Sequence, residues 1–197
     1  RRDQFLMIFL YDTGARIQEV LDVKICDIRM DKTPTVVLHG KGRKIRSVPL
    51  MKDTVNHLLN YMEVFHKGEA WLSTDWLFYV ERKGIRSAMC DDTARLRIQK
   101  YAGAAREKCP DVPENVHPHL WRHTRAMHLY QHGMDLTLIA QWLGHKQLET
   151  TLIYAYADTE EKRKAIEKAM GTEAVLRAEN ASYKVDDEET LKHLYGL

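Results

Sequence analysis

No run of apolar residues in this 197-residue chain approaches the roughly 20 needed to cross a bilayer as a helix. A charged-then-apolar leader is also missing. Cysteine is scarce. Cys26, Cys90 and Cys109 are far apart and odd in number, which argues against both a disulfide framework and a zinc knuckle. They read as reduced thiols of a cytosolic protein. An excess of one charge is lacking too, since 30 Lys/Arg face 28 Asp/Glu for a formal net charge of +2. The distribution says more than the sum. Residues 171–197 hold three basic and six acidic side chains, which leaves 27 basic and 22 acidic for the body. A mildly basic body with an acidic tail suits a polyanion binder, although many other proteins share the pattern. Apolar residues make up 44% of the chain, enough at this length for one domain with a full core. Arg1-Arg2-Asp3 leads straight into an apolar helical run with no initiating methionine, so an upstream segment is expected to be missing.

The periodicity predicts a mostly α domain with a small antiparallel β-sheet near its N-terminal side. Helices are expected over Gln4 to Tyr11 and, after the Thr13-Gly14 break, Arg16 to Val23. Thr35 to His39 and Ile45 to Leu50 read as strands joined through Gly40-Lys41-Gly42-Arg43-Lys44, a hairpin with a basic tip. Met51 to His66 follows as a helix with Val55, Leu58, Leu59, Met62 and Phe65 on one face. Trp76 to Val80 suggests a short strand and Asp92 to Glu107 a helix. Helices then run from His119 to His132, ending at Gly133, from Leu136 to Leu143, ending at Gly144, and over Gln147 to Ala157. Asp158-Thr159 is placed to cap a helix reaching Met170.

Breaking a phosphodiester without a metal demands fixed donors for the charge that builds on the non-bridging oxygens. Arginine supplies these as a two-pronged fork. It also demands a proton for the leaving 5′ oxygen and an activated nucleophile. The chain offers a candidate for each role. Arg16 and Arg122 form the expected phosphate clamp, and Lys41 at the hairpin tip is the general acid. His119 lies one helical turn from Arg122, and His145 follows a helix end within reach of the same phosphate. Tyr154 is the candidate nucleophile, giving a 3′-phosphotyrosyl link whose bond energy lets religation proceed without ATP. Its solution pKa of about 10 requires nearby cations or a base to favour the ionised form.

These residues fall in five boxes: Thr13-Gly14-x-Arg16-x-x-Glu19; Gly40-Lys41-Gly42 with Val48-Pro49-Leu50; Pro118-His119-x-x-Arg122-His123-Thr124; Leu143-Gly144-His145; and Thr150-Thr151-x-x-Tyr154. In this order, over about residues 1–170, they resemble the catalytic domain of the tyrosine recombinases, the phage-integrase family. The resemblance implies cleavage, exchange and rejoining of double-stranded DNA by a tyrosine helped by two Arg, a Lys and two His. No cofactor or metal is implied. It further implies a C-shaped clamp with an N-terminal core-binding domain outside this chain, and a tetramer on two duplexes. A cytoplasmic, nucleoid-associated setting and a role in a mobile element follow from the same resemblance. Trp121 departs from the smaller aliphatic residue usual in the family and reads as a packing difference.

Each residue also has a plainer reading. Arg16 could simply pair with Glu19, and Glu19 reads as a structural acid orienting an arginine. Arg43, Lys44 and Arg46 are expected to touch DNA phosphates, positioning rather than specifying sequence. His119 and His123, and likewise His128 and His132, are four apart as metal ligands would be. No zinc-protease Glu or nearby cysteine supports that reading. His123 is expected to pack or bond locally, and Tyr156 is the runner-up to Tyr154. Residues 171–197 form a tail whose Leu191, Leu194 and Tyr195 suit a helix docking on a neighbouring protomer. Type IB topoisomerase-like DNA relaxation and a DNA-binding regulator without catalysis are the alternative functions, with a metal hydrolase behind them.

Overall fold

The computed structural model describes residues 1–42, 44–145, 147, 149–157 and 163. The expected cap at Asp158-Thr159, the helix to Met170, the tail 171–197, Arg43 and the side chain of Tyr156 lie outside the described residues.

Helix α1 (Arg2–Thr13) is the hub of the core. Phe5 and Phe9 are almost completely buried and meet Tyr61 and Phe78 in one aromatic cluster, with Phe5 and Tyr61 stacked at 4.9 Å. Offset and tilted ring pairs of this kind add to the gain from area burial alone. Helix α2 (Ile17–Leu21) is short and followed by a 3₁₀ turn at Ile25–Asp27. Both N-termini are closed by an acid three residues in, Glu19 onto the backbone N–H of Arg16 and Asp27 onto that of Lys24.

The sheet has three antiparallel strands, β1 (Ile28–Arg29), β2 (Thr35–Gly40) and β3 (Lys44–Pro49). Pairing of Gly40 with Lys44 puts Lys41 and Gly42 at the tip, one residue tighter at each strand end than the sequence suggested. Val36, Leu38 and Val48 point into the core while their neighbours alternate outward. Strand β1 was not expected, because two residues carry no readable period.

Helix α3 (Lys52–Phe65) buries Thr54, Leu58, Tyr61 and Met62. Leu59, expected on that face, is 46% exposed, and Tyr61 takes its place. Tyr61 earns burial by giving its hydroxyl proton to the Leu77 carbonyl at 2.7 Å.

The strand expected over Trp76 to Val80 is displaced. Trp76 makes only an isolated bridge with Lys24, and β4 (Tyr79–Arg82) pairs with β5 (Ile85–Ala88) in a second hairpin. Its turn, Lys83-Gly84, has positive φ at both residues, 51° and 76°, as a tight two-residue hairpin turn requires. The strands flanking it are exposed and charged, so no apolar alternation marked them.

Helices α4 (Asp91–Arg106), α5 (Pro118–Gln131), α6 (Leu136–Leu143) and α7 (Glu149–Ala157) complete the described body. Pro118 opens α5 at the position where a missing N–H costs nothing. Ile139 and Leu143 of α6, Ala126 of α5 and Tyr154 of α7 form a second apolar cluster. No described helix is long and apolar enough to cross a membrane.

Candidate active site

Two helix ends make the floor of the site. Helix α1 stops at Gly14 and α6 stops at Gly144, both in left-handed conformation. Arg122, buried in α5, reaches between them. Its Nη1 donates to the Gly14 carbonyl at 2.8 Å and its Nη2 to the Leu143 carbonyl at 2.7 Å. One guanidinium therefore fastens two of the sequence boxes to a third. The indole N–H of Trp142 adds a bond to the Thr13 carbonyl at 3.0 Å. Beyond Gly144 the chain leaves α6 in a Schellman-like exit, with the His145 N–H on the Ala140 carbonyl at 2.9 Å. The backbone carrying His145 is thereby held.

Gly144 is required twice over. Its φ of 68° disfavours any side chain, and a Cβ would sit 3.1 Å from Arg46. Arg46, on β3, crosses behind it. It donates from Nε to the Trp142 carbonyl at 3.0 Å and from Nη1 and Nη2 to Glu19 at 3.1 and 2.7 Å. Glu19, only 4% exposed at its side chain, also accepts from the Arg16 backbone N–H at 2.9 Å and from Arg16 Nη1 at 3.1 Å. Burial pushes the Glu19 carboxyl up, but the two arginines and the N–H outweigh it and hold it below the usual carboxylate range.

Arg16, Glu19, Lys41, Lys44, Arg46, His145 and Thr150 line one open cleft of about 600 Å³, with Gly40, Gly42 and Gly144 letting backbone form part of its wall. Three of the residues expected to be catalytic, Arg16, Lys41 and His145, thus share a cavity. Lys41 and Lys44 are exposed at its rim. Arg46, expected as a DNA-phosphate contact, instead has all its nitrogens directed at protein acceptors, because the buried Glu19 competes for them. The exposed N-terminal turn of α5 carries His119, outside the cleft lining.

The cleft is strongly cationic in a partly dry setting. Burial, then Arg16 and Arg46, lowers Arg122 to about 10, so it remains charged at neutral pH. Burial, then Arg122, Arg16, Arg46 and His123, lowers His145 to about 4, so it is neutral. His119 is pulled down by burial and by His117, Arg122, His123 and Arg95. Cations that depress one another in this way favour a neighbouring negative charge.

Tyr154 is not on the cleft lining. It is 3% exposed, packs under α5, and sets its hydroxyl 3.2 Å from His123 Nδ1. Burial raises its pKa, with Arg122 opposing. The spacing in sequence did not reveal this local partnership, although His123 was expected to bond locally. A second contact of the same kind was missed: Nδ1 of His145 lies 2.8 Å from Oγ1 of the completely buried Thr151. Helix α7 is therefore tied to the body through two imidazoles. Among the described residues no group of three His, Cys, Asp or Glu could hold a metal ion.

The described body is an α+β domain with a cationic cleft and a buried tyrosine on its last helix. The chain belongs to the phage integrase family of tyrosine recombinases, whose pattern it matches across residues 1–161. It is 31% identical over 175 residues to tyrosine recombinase XerA of Pyrococcus horikoshii, covering 89% of this chain and 57% of that protein. Against tyrosine recombinase XerD of Yersinia pestis the identity is 37% over 166 residues, covering 82% and 52%. The crystal structure of the XerH site-specific recombinase bound to a palindromic difH substrate, a post-cleavage complex, superposes with a TM-score of 0.68. That match has 29% identity and covers 84% of this chain and 45% of the other. The chain spans about half the length of these relatives.

Proposed function

We propose that this chain carries the catalytic centre of a site-specific DNA recombinase. The observation that carries the reading is convergence. Arg16, Lys41 and His145 come from boxes up to 129 residues apart, yet they line one cleft, and the buried Arg122 lies close enough to depress the His145 imidazole together with Arg16. Such a cluster of like charges is costly unless an anion is its purpose.

In this reading Arg16, Arg122 and His145 hold the non-bridging oxygens of a scissile phosphate. The Tyr154 hydroxyl passes its proton to solvent as its oxygen attacks phosphorus. A phosphorus–oxygen bond to Tyr154 forms as the bond to the 5′ oxygen breaks, and Lys41 gives that oxygen its proton. His119 stands at the edge of the same field. Because Tyr154 is buried against His123 here, delivering its hydroxyl requires α7 to shift towards the cleft. Double-stranded DNA is the partner, and a tetramer on two duplexes is the assembly in which the strands exchange. The body, residues 1–170, acts as the catalytic unit, and the tail 171–197 reaches a neighbouring protomer.

The test uses a library of nicked duplexes with randomised centres. Wild-type protein should give an SDS-stable covalent adduct whose DNA end ends in a 3′ phosphate, unaffected by a chelator. Tyr154→Phe should give none. An adduct that survives this substitution would assign the nucleophile elsewhere, and no adduct from any duplex would favour a non-catalytic DNA binder.

A further inference from the structure

We infer that Thr151 is a positioning residue that sets the tautomer of His145, turning a neutral imidazole into an N–H donor aimed into the cleft. The inference deepens the reading above and rests on it for the identity of the anion.

The geometry starts from a buried hydroxyl. Thr151 is completely buried on α7, and its Oγ1 lies 2.8 Å from His145 Nδ1. A helical threonine often turns its hydroxyl to the carbonyl four residues back, as Thr13 does to Phe9 at 2.7 Å and Thr124 to Leu120 at 2.9 Å. Thr151 does not. Among the described residues its recorded partner is the imidazole alone. If Nδ1 carried the ring proton and donated to Oγ1, the hydroxyl proton would be buried without an acceptor among the described residues, at a cost of about 1–3 kcal/mol. With the hydroxyl donating to Nδ1, every group is satisfied and the ring proton must sit on Nε2.

The tautomer matters because His145 is held neutral by burial first and then by the positive charges around it, Arg122, Arg16 and Arg46, with His123 adding to them. A neutral ring with Nε2 unprotonated would turn a lone pair towards a phosphate oxygen and repel it. The Nε2–H form donates without needing a proton from solvent. His145 is already held on the backbone side by the exit of α6, so Thr151 fixes the remaining degree of freedom. A hydrogen bond to one ring nitrogen orients catalytic and metal-bound histidines in the same manner. The same contact ties the donor to α7, the helix that carries Tyr154 three residues on. A shift of α7 that delivers the nucleophile therefore also moves the group that tunes His145.

The experiment has two arms. In the first, protein labelled with ¹⁵N-histidine is observed by long-range ¹H–¹⁵N correlation without DNA, with His145→Ala identifying the His145 signals. The Nε2–H tautomer is expected at pH 7, and Thr151→Val should mix the two tautomers while Thr151→Ser should not. Observation of the Nδ1–H tautomer in the wild type overturns the inference. In the second arm, covalent adduct formation is followed from pH 6 to 9. Thr151→Val should cleave about tenfold more slowly at pH 8, the equivalent of one oriented hydrogen bond. With DNA bound, the phosphate offsets the arginines and raises the ring's pKa from about 4, so part of that loss should be recovered towards pH 6 as protonation supplies the N–H, while DNA binding stays unchanged and Thr151→Ser restores the rate. A loss equal at every pH would mean that Thr151 merely holds α7, and it too overturns the inference. Should Thr151→Val fail to fold, the wild-type tautomer still decides. Absence of any adduct from wild-type protein would defeat the recombinase reading and leave the tautomer result standing on its own.

Discussion

Replacing Glu19 by glutamine keeps the shape of the side chain and removes its charge. The carboxylate accepts four hydrogen bonds, from the Arg16 N–H, Arg16 Nη1, Arg46 Nη1 and Arg46 Nη2. Glutamine keeps one oxygen and turns an NH₂ towards donors. Breaking a buried ion pair by removing one partner costs about 3–5 kcal/mol, because the other charge is left uncompensated. The low end applies here, since the Arg16 side chain is 44% exposed and can turn to water, whereas that of Arg46, 14% exposed, cannot. A loss of about 3 kcal/mol in a domain of this size lowers Tm by roughly 6–12 °C. Thermal unfolding followed by circular dichroism measures it. A double-mutant cycle with Arg46→Met isolates the pair and should show a coupling above ~1 kcal/mol, well outside the ~0.5 kcal/mol scatter of independent sites. If Glu19→Gln melts within a degree of wild type, or if the two substitutions add, the Glu19–Arg46 pair is not what holds β3 against α2 and α6.

The same carboxyl makes stability pH-dependent. Its folded pKa lies below the ordinary value, so its contribution is present at neutral pH and is lost as pH falls through the unfolded and then the folded pKa. Stability curves from urea unfolding should steepen below about pH 4.5 in wild type and flatten in Glu19→Gln; parallel curves would refute this. Arg122→Lys replaces a fork that spans two carbonyls with a single ammonium. It should lower stability by about 1–3 kcal/mol, the cost of one buried acceptor left unpaired. It should also abolish adduct formation, and normal cleavage by this variant would remove Arg122 from the clamp. Gly144→Ala meets both the positive φ and Arg46, and should cost about 1–2 kcal/mol, read as a shift in denaturant midpoint. Vanadate bound in the cleft should raise the pKa of His145 from about 4, because an anion offsets the arginines that depress it. An unchanged titration by NMR would mean the cleft takes no such anion.

Much of the local architecture was legible in the residues themselves. Apolar period marked α1, α3, α5 and α6. Gly133 and Gly144 marked helix ends, and Gly40-Lys41-Gly42 marked the basic hairpin tip, because each signal is a property of neighbours along the chain. The pairing of β4 with β5 escaped because exposed, charged strands carry no alternation. Leu59 was placed inside because a helix face shows direction but not where its neighbours stop.

The residue types that phosphate chemistry would need are legible in the sequence alone: Arg16, Lys41, His119, Arg122, His145 and Tyr154 stand in five ordered boxes. What each of them touches was decided only in three dimensions. Arg122 grips carbonyls at Gly14 and Leu143, Arg46 turns inward to Glu19, His145 is depressed by three guanidinium groups, and Tyr154 is folded away beneath His123. Those partners are up to 129 positions apart. Charge, burial and hydrogen bonding act through space, so a side chain's chemistry depends on a neighbourhood that spacing along the chain does not encode.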